Sequence, residues 1–437
     1  MTRRMRAVAV VSIALGLLAS ALAAPAEARQ SQPSALYVIH NDLLPCQSAP
    51  HPQCVTTRVT RATVGPDSGR VDWVRDVPNL FDIKEAYVTP DGGTLAYLGV
   101  SLATGPGVYL HDVVSGRTTF IGPFHGATIL LGNPVRPEVY LFDGTGATVL
   151  SPSGTRRIGL PCRPNDRAGI SADGQRVSIT VVCGALPDTT LETTVFDTMT
   201  GAVLSTQPYY GKVSADGDVL FTRDFVNGVP LLQRRDVVTG QVLTEVTNPG
   251  WGLVVDRGAG DVVSYGGSYA HLADGRTLAV RWSTLFGASG AGDNGPEPVI
   301  DPSNGMLFAA TLGGGVSMAD TRGRRLLGYV GFPAQMWAQL AVGPPAPQAP
   351  VALGSAVTGS AVALTWSAPA HPATVTRYVI EVGSAPGSSD IFSGLDVGLQ
   401  TSFAAAGVPP GTYYVRVRAG NDSGLSAPSN EVVVTVP

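Results

Sequence analysis

Short runs of alternating apolar and polar residues, each closed by a Gly, Asp or Pro turn, fill the chain from residue 35 to 343. One unit reads Ala86-Tyr87-Val88, the turn Thr89-Pro90-Asp91-Gly92-Gly93, and then runs at 94–100, 108–111 and 118–121. A period of two is that of a strand with one face packed, so each run predicts a strand. A second kind of turn recurs at a longer interval: Pro66-Asp67-Ser68-Gly69, Asp112 to Gly116, Ser151-Pro152-Ser153-Gly154, Asp197 to Gly201, Asp236 to Gly240, Leu272-Ala273-Asp274-Gly275 and Asp320 to Gly323. The turn glycines stand at 69, 116, 154, 201, 240, 275 and 323, which is 35 to 48 residues apart. That spacing suits four-stranded blades rather than a helical solenoid, and predicts an all-β, seven-bladed β-propeller over 35–343.

The first turn of each unit recurs as Ser171-Ala172-Asp173-Gly174, Ser214-Ala215-Asp216-Gly217, Val255-Asp256-Arg257-Gly258 and Asp301-Pro302-Ser303-Asn304-Gly305. Asp or Asn with Gly supplies the backbone angles a tight hairpin demands. These turns resemble the Ser-Pro-Asp-Gly hairpins of bacterial propellers of the TolB and YVTN kinds, a resemblance that implies fold and not activity. The first unit starts directly at 35–39 without an inner strand. Gln339-Leu340-Ala341-Val342-Gly343-Pro344 reads as the missing one, returning to close the ring and remove both open sheet edges.

Residues 344–350, Pro-Pro-Ala-Pro-Gln-Ala-Pro, predict a stiff extended linker. Beyond it, Leu364-Thr365-Trp366, Tyr378 to Val382, the run from Val408 to Ala419 and Ser426 to Glu431 resemble a fibronectin type III domain over 351–437. The pattern puts Trp366, Tyr413, Val415, Val417 and Ala419 inward, and Tyr414, Arg416 and Arg418 outward. Gly420-Asn421-Asp422-Ser423-Gly424 stands where an Arg-Gly-Asp loop would be, so receptor adhesion is not implied.

At the start, Arg3-Arg4-Met5-Arg6, an apolar run at 7–23 and small-residue sites around 24–28 have the form of a secretory signal peptide over 1–28. Its removal takes away three arginines and one glutamate, moving the formal charge from −4 to −6. A secreted, extracellular chain with no membrane span and no nucleic-acid partner is expected. Lysine occurs only at Lys84 and Lys212. Four cysteines in an exported chain predict two disulfides, Cys46 with Cys54 and Cys162 with Cys183, the second because a hairpin about Ala172-Asp173-Gly174-Gln175 brings its members into reach.

No G-x-S-x-G elbow, H-E-x-x-H helix or P-loop lysine is present. The letters of G-x-G-x-x-G at 290–295 lie in a Gly-rich loop with no helix after it, and His40, His51, His111, His125, His271 and His371 are scattered. A sharper signal comes from counting back three positions from the apolar residue before each first hairpin. That gives Glu85, Arg167, Tyr210, Trp251, Glu297 and Gln339, with Ala127, Thr128 or His125 in the third unit. In a closed propeller these positions ring one channel mouth and are the expected ligand-binding residues.

The leading expectation is a monomeric, non-catalytic binding or interaction protein, holding no cofactor, that recognises an extracellular carbohydrate or protein. The alternative is an extracellular enzyme of the lactonase, lyase or glycan-processing sort. It would need Glu85 and Glu297 as an acid and base pair, or calcium held by them with Asp82 and Asp301. A purely structural envelope component is a third reading.

Overall fold

In a computed structural model of the chain, the described residues are 33–45, 53–65, 68–78, 80–101, 104–123, 129–144, 146–184, 189–248, 250–266, 268–286, 297–311, 315–331, 338–344, 347, 349–369, 375–421 and 424–437. Several sequence expectations lie outside them: the signal peptide at 1–28, the Cys46–Cys54 side chains, the 290–295 loop, the 125–128 alternatives, and much of the Pro-rich linker. All regular structure among the described residues is β. No helix among them is long and apolar enough to cross a membrane.

Among the described residues up to Val342 there are seven four-stranded antiparallel sheets. Six are formed from consecutive strands at 80–123, 129–159, 163–207, 210–247, 252–285 and 299–331. The remaining sheet joins the strands at 34–78 to Gln339–Val342, with Leu36 opposite Val342 and Ile39 opposite Gln339. The first strands of the sheets, Leu80–Val88, Ile129–Gly132, Arg163–Ile170, Tyr210–Val213, Gly252–Val255 and Val299–Ile300, each pack beside the next. The strand Gln339–Val342 lies beside both Val299–Ile300 and Leu80–Val88, so the contacts run round a ring. This radial order of sheets is a β-propeller.

Burial falls outward along each sheet. The second strand Met306–Thr311 is buried at every position, whereas the outermost strands Thr118–Pro123 and Val242–Thr247 alternate. A strand sandwiched between neighbouring sheets packs both faces; an outer one packs only one.

Turn chemistry explains why the repeats fold locally. Asp197 Oδ1 accepts from the Met199 and Thr200 amides at 3.0 and 2.8 Å, and Asp236 Oδ1 from Val238 and Thr239 at 3.0 and 2.7 Å. Such donors favour the charged carboxylate and hold both below the usual aspartate range. The fourth residue after the Asp takes a left-handed conformation, which glycine adopts without a Cβ clash at Gly116, Gly201 and Gly240. The sixth and seventh sheets depart from the expected glycine positions. There the left-handed residues are Leu278 at φ 58° and Arg324 at φ 54°, each four beyond its Asp, and Gly275 and Gly323 sit earlier in the turn. Leu278 is fully buried, so its packing offsets a conformation that a branched side chain disfavours.

After the propeller, Val351–Thr358, Ala361–Ser367 and Ser402–Ala405 form one sheet, and Arg377–Gly383, Phe392–Asp396, Gly411–Asn421, Gly424–Leu425 and Val432–Val436 a second. They share a core of Leu364, Trp366, Tyr378, Val415, Val417 and Val434. The outward Arg416 and Arg418 both pair with Glu381, at 3.0 and 2.7 Å.

His111, on the strand Gly105–Asp112, is 1% exposed. Its Nδ1 lies 3.0 Å from the Thr118 hydroxyl, and Nε2 has no partner among the described residues. Burial, then the nearby Arg75, pushes its pKa below the ordinary histidine value. A group depressed in the folded state takes its proton more readily when unfolded, so stability is present above about pH 6.5 and is lost as pH falls below it. Urea midpoints should therefore fall between pH 7.5 and 5.5, and His111→Gln should flatten that slope; an unchanged slope in the variant would assign the effect elsewhere.

Candidate functional site

In six sheets the last residue of the innermost strand pairs with a residue seven positions on. The pairs are Val88 with Leu95, Gly132 with Val139, Ile170 with Val177, Val213 with Leu220, Val255 with Val262 and Ile300 with Leu307. The first member of each pair, together with Val342, lines one central cavity of about 1220 Å³. Most small-molecule sites occupy roughly 300–1,000 Å³, so the space suffices for an extended ligand. All six sequence-derived residues, Glu85, Arg167, Tyr210, Trp251, Glu297 and Gln339, lie on its wall.

Glu297 is where three sheets meet. Its Oε2 pairs with Lys212 Nζ and its Oε1 lies 3.4 Å from Arg167 Nε, so a carboxylate of the seventh sheet holds cations of the fourth and fifth. Burial pulls the Lys212 ammonium down, but the attraction of Glu297 outweighs it and keeps the pKa above the ordinary lysine value. Arg167 adopts φ 51° at the second of two register shifts in the strand Arg163–Ile170, between Asp166 and Ala168. A bulge re-aims a side chain at some backbone strain, and here it sends a guanidinium into the channel. Its Cζ lies 5.8 Å from the centre of the Tyr210 ring. Burial pushes the Tyr210 hydroxyl up, with the Lys212 charge opposing.

Glu85 has a different task. Its Oε2 accepts from the Leu130 amide at 2.6 Å, tying the second sheet to the third. Two residues on, the Tyr87 hydroxyl donates to the Asn133 carbonyl at 2.5 Å across the same seam. Gly132 permits that approach, since a Cβ there would fall 1.9 Å from the Tyr87 ring. In the third sheet the equivalent of Glu85 is Ile129, an apolar residue, so the polar ring is interrupted.

Trp251 requires a correction of one residue. The hairpin register makes Val255, not Val254, the equivalent of Val88, so Gly252 is the counterpart of Glu85. A Cβ on Gly252 would meet the Tyr265 ring at 2.1 Å, which excludes a side chain there. Trp251 instead precedes the strand, donates its amide to the Tyr265 carbonyl at 2.6 Å, and remains 52% exposed. It forms a ledge with Phe225, 48% exposed, their ring centres 5.3 Å apart. The buried Arg223 guanidinium lies 5.1 Å from one ring centre and 5.3 Å from the other.

The Cys162–Cys183 disulfide stands at the start of the strand Arg163–Ile170. Its two sulfurs and the Glu192 carboxylate are the single close trio of His, Cys, Asp or Glu ligand atoms among the described residues, and the sulfurs are already bonded to each other. Asp301 spends its Oδ1 on the Ser303 amide and hydroxyl, at 2.8 and 2.6 Å, within its own turn.

Sequence counting missed Lys212, Arg223, Phe225 and Arg257, all on the cavity wall. Lys212 had a signal: its equivalents in the other sheets are Tyr87, Leu131, Gly169, Val254, Val299 and Ala341, none of them charged.

Fold and site together define a β-propeller with a charged central channel and an aromatic ledge. No protein-family profile and no curated protein matches the chain. Among solved structures it is similar to TolB from Acinetobacter baumannii, at 17% identity over 72% of this chain and 67% of that one, with a TM-score of 0.43. It is also similar to the dihydro-heme d1 dehydrogenase NirN in complex with DHE, at 12% identity over 69% and 68% and a TM-score of 0.41. A third is the hydrazine synthase of Kuenenia stuttgartiensis, at 14% identity over 55% and 77%, with a TM-score of 0.41. No functional statement follows from likeness at this level.

Proposed function

We propose that this chain is an exported, monomeric binding protein that recognises an extracellular carbohydrate or protein at the channel mouth and performs no chemistry on it. The seven sheets are its blades, closed by Gln339–Val342, and the C-terminal sheets are a fibronectin type III domain. Residues 1–28 act as the signal, and Cys46 with Cys54 forms a second disulfide. For the C-terminal domain, support comes from Tyr413, whose hydroxyl donates to the Pro409 carbonyl at 2.9 Å in the manner of a tyrosine corner.

The observation that carries the binding reading is the Trp251–Phe225 ledge. Two large rings half open to solvent, beside a buried guanidinium, expose apolar area that a protein with no ligand has reason to cover. Flat aromatic faces suit the C–H faces of sugar rings or an apolar peptide side chain. The channel carboxylates favour binding over catalysis: Glu85 is engaged with a backbone amide and Glu297 with two cations.

The test is a glycan array followed by calorimetric titration of the best ligand. Trp251→Ala and Phe225→Ala should each weaken it by about tenfold, near the upper range for an aromatic contact. Because the ledge is exposed, Tm should stay within about 2 °C. Undiminished affinity in both variants would move the site away from this mouth.

A further inference from the structure

The two-residue step past each innermost strand brings out one exceptional side chain. In the other six units that turn position is Pro90, Pro134, Ala172, Ala215, Pro302 or Pro344; in the sixth it is Arg257. Five repeats of this kind solve the turn with a residue that offers the channel no polar group, and the terminal strand does likewise, so nothing in the hairpin itself calls for a guanidinium.

The backbone beneath Arg257 is fixed. Asp256 Oδ1 accepts from the Gly258 and Ala259 amides at 2.8 and 3.2 Å, and the Gly260 amide donates to the Asp256 carbonyl at 2.7 Å. A Cβ on Gly258 would meet the Pro302 carbonyl oxygen at 1.7 Å, so the turn is pressed against the seventh sheet. From this support Arg257 lines the central cavity together with Tyr87 and the apolar Val88, Val213, Val255 and Ile300.

Its donors are unengaged. Arg167 and Lys212 share Glu297, and Arg223 lies over two aromatic rings, whereas Arg257 makes no hydrogen bond or ion pair with the described residues. Burial lowers its pKa from the ordinary arginine value, with Tyr87, Asp256 and Asp301 opposing. Among the described residues, five cationic and three anionic side chains line the cavity of a chain whose formal net charge is −4, so this lining runs against the charge of the whole protein. A half-buried guanidinium that faces the channel with its planar fork of donors unused is matched by an oxyanion, which it can grip bidentately.

We propose that Arg257 is an oxyanion seat at the end of the channel where the innermost strands finish, taking a carboxylate, sulfate or phosphate group of the ligand. This rests on the reading of the channel as a ligand site and narrows the ligand to an acidic one. The apolar collar around the seat lowers the local dielectric and strengthens the contact.

The experiment uses the full chain and three probes in calorimetric titrations: sodium sulfate, a galacturonic acid trisaccharide and its neutral galactose counterpart. Wild type should bind sulfate or the acidic trisaccharide in preference to the neutral one. Arg257→Gln should lose about tenfold or more, and Arg257→Lys should keep part of the affinity. The Tm of ligand-free Arg257→Gln should equal or exceed that of wild type, because the guanidinium removed makes no hydrogen bond or ion pair with the described residues; a fall of several degrees would mark Arg257 as a structural residue and overturn the seat. Absence of oxyanion binding by wild type, or binding that Arg257→Gln leaves intact, would overturn it as well. If Trp251→Ala abolishes binding of a neutral ligand while Arg257→Gln does not affect any probe, the mouth is a ligand site and the seat is wrong. Sulfate binding that depends on Arg257, with the ledge variants silent, keeps the seat and removes the reading of the mouth.

Discussion

Deleting Gln339–Val342 should abolish the cooperative thermal unfolding of the propeller rather than fray its end. The strand is short, yet it pairs at four positions with Leu36–Ile39, and the Gly343 amide adds a bond of 2.8 Å to the Ala35 carbonyl. Leu340 is 4% exposed and packs with Leu36, Val38, Met306 and Phe308. Removal would leave one edge of Leu36–Ile39 unpaired and forfeit a buried leucine, a loss of at least about 5 kcal/mol, comparable to the net stability of many domains. Circular dichroism melts with limited proteolysis would read it. A sharp transition within a few degrees of wild type would mean that the ring does not depend on this strand.

Glu297→Ala should cost about 3–5 kcal/mol, the usual result of stripping one partner from a buried ion pair. Lys212 and Arg167, with side chains 8% and 10% exposed, would be left facing each other without the carboxylate between them. The double variant Glu297→Leu, Lys212→Met should recover part of that loss, because it removes the Lys212 pair instead of breaking it and leaves only Arg167 without its carboxylate. Urea unfolding of Glu297→Leu, Lys212→Met and the double variant gives the coupling energy directly. Additive effects of the singles would show that water in the channel screens the pair and that it holds nothing together.

The β architecture was legible because the turns are made by residues close in sequence. Asp112, Asp197 and Asp236 bind amides two or three residues away, so the sequence carries the punctuation of the fold in short words. The same reasoning failed where tertiary packing took over. Leu278, fully buried, occupies a left-handed position that local preference reserves for glycine. Trp251 was one residue out because Val254 and Val255 are both apolar and only the pairing with Val262 tells them apart. The Glu297–Lys212 contact joins residues 85 apart, across the channel and past the intervening sheet, so no local pattern announces it. Arg257 lay within reach, since lining up the turns shows one arginine in a column of proline and alanine.

The strand Gln339–Val342 is also the point at which the propeller passes into the rest of the chain, through Gly343 and Pro344. Any tension arriving from the C-terminal sheets must therefore reach the ring first through a four-residue zipper against Leu36–Ile39. A tether attached elsewhere would load a fully built sheet; here it pulls on the piece that completes one. The protein thus has a mechanical fuse in its own topology, whose rupture force, measured by stretching the two ends of the chain, sets how hard the C-terminal sheets can be held before the ring of sheets opens.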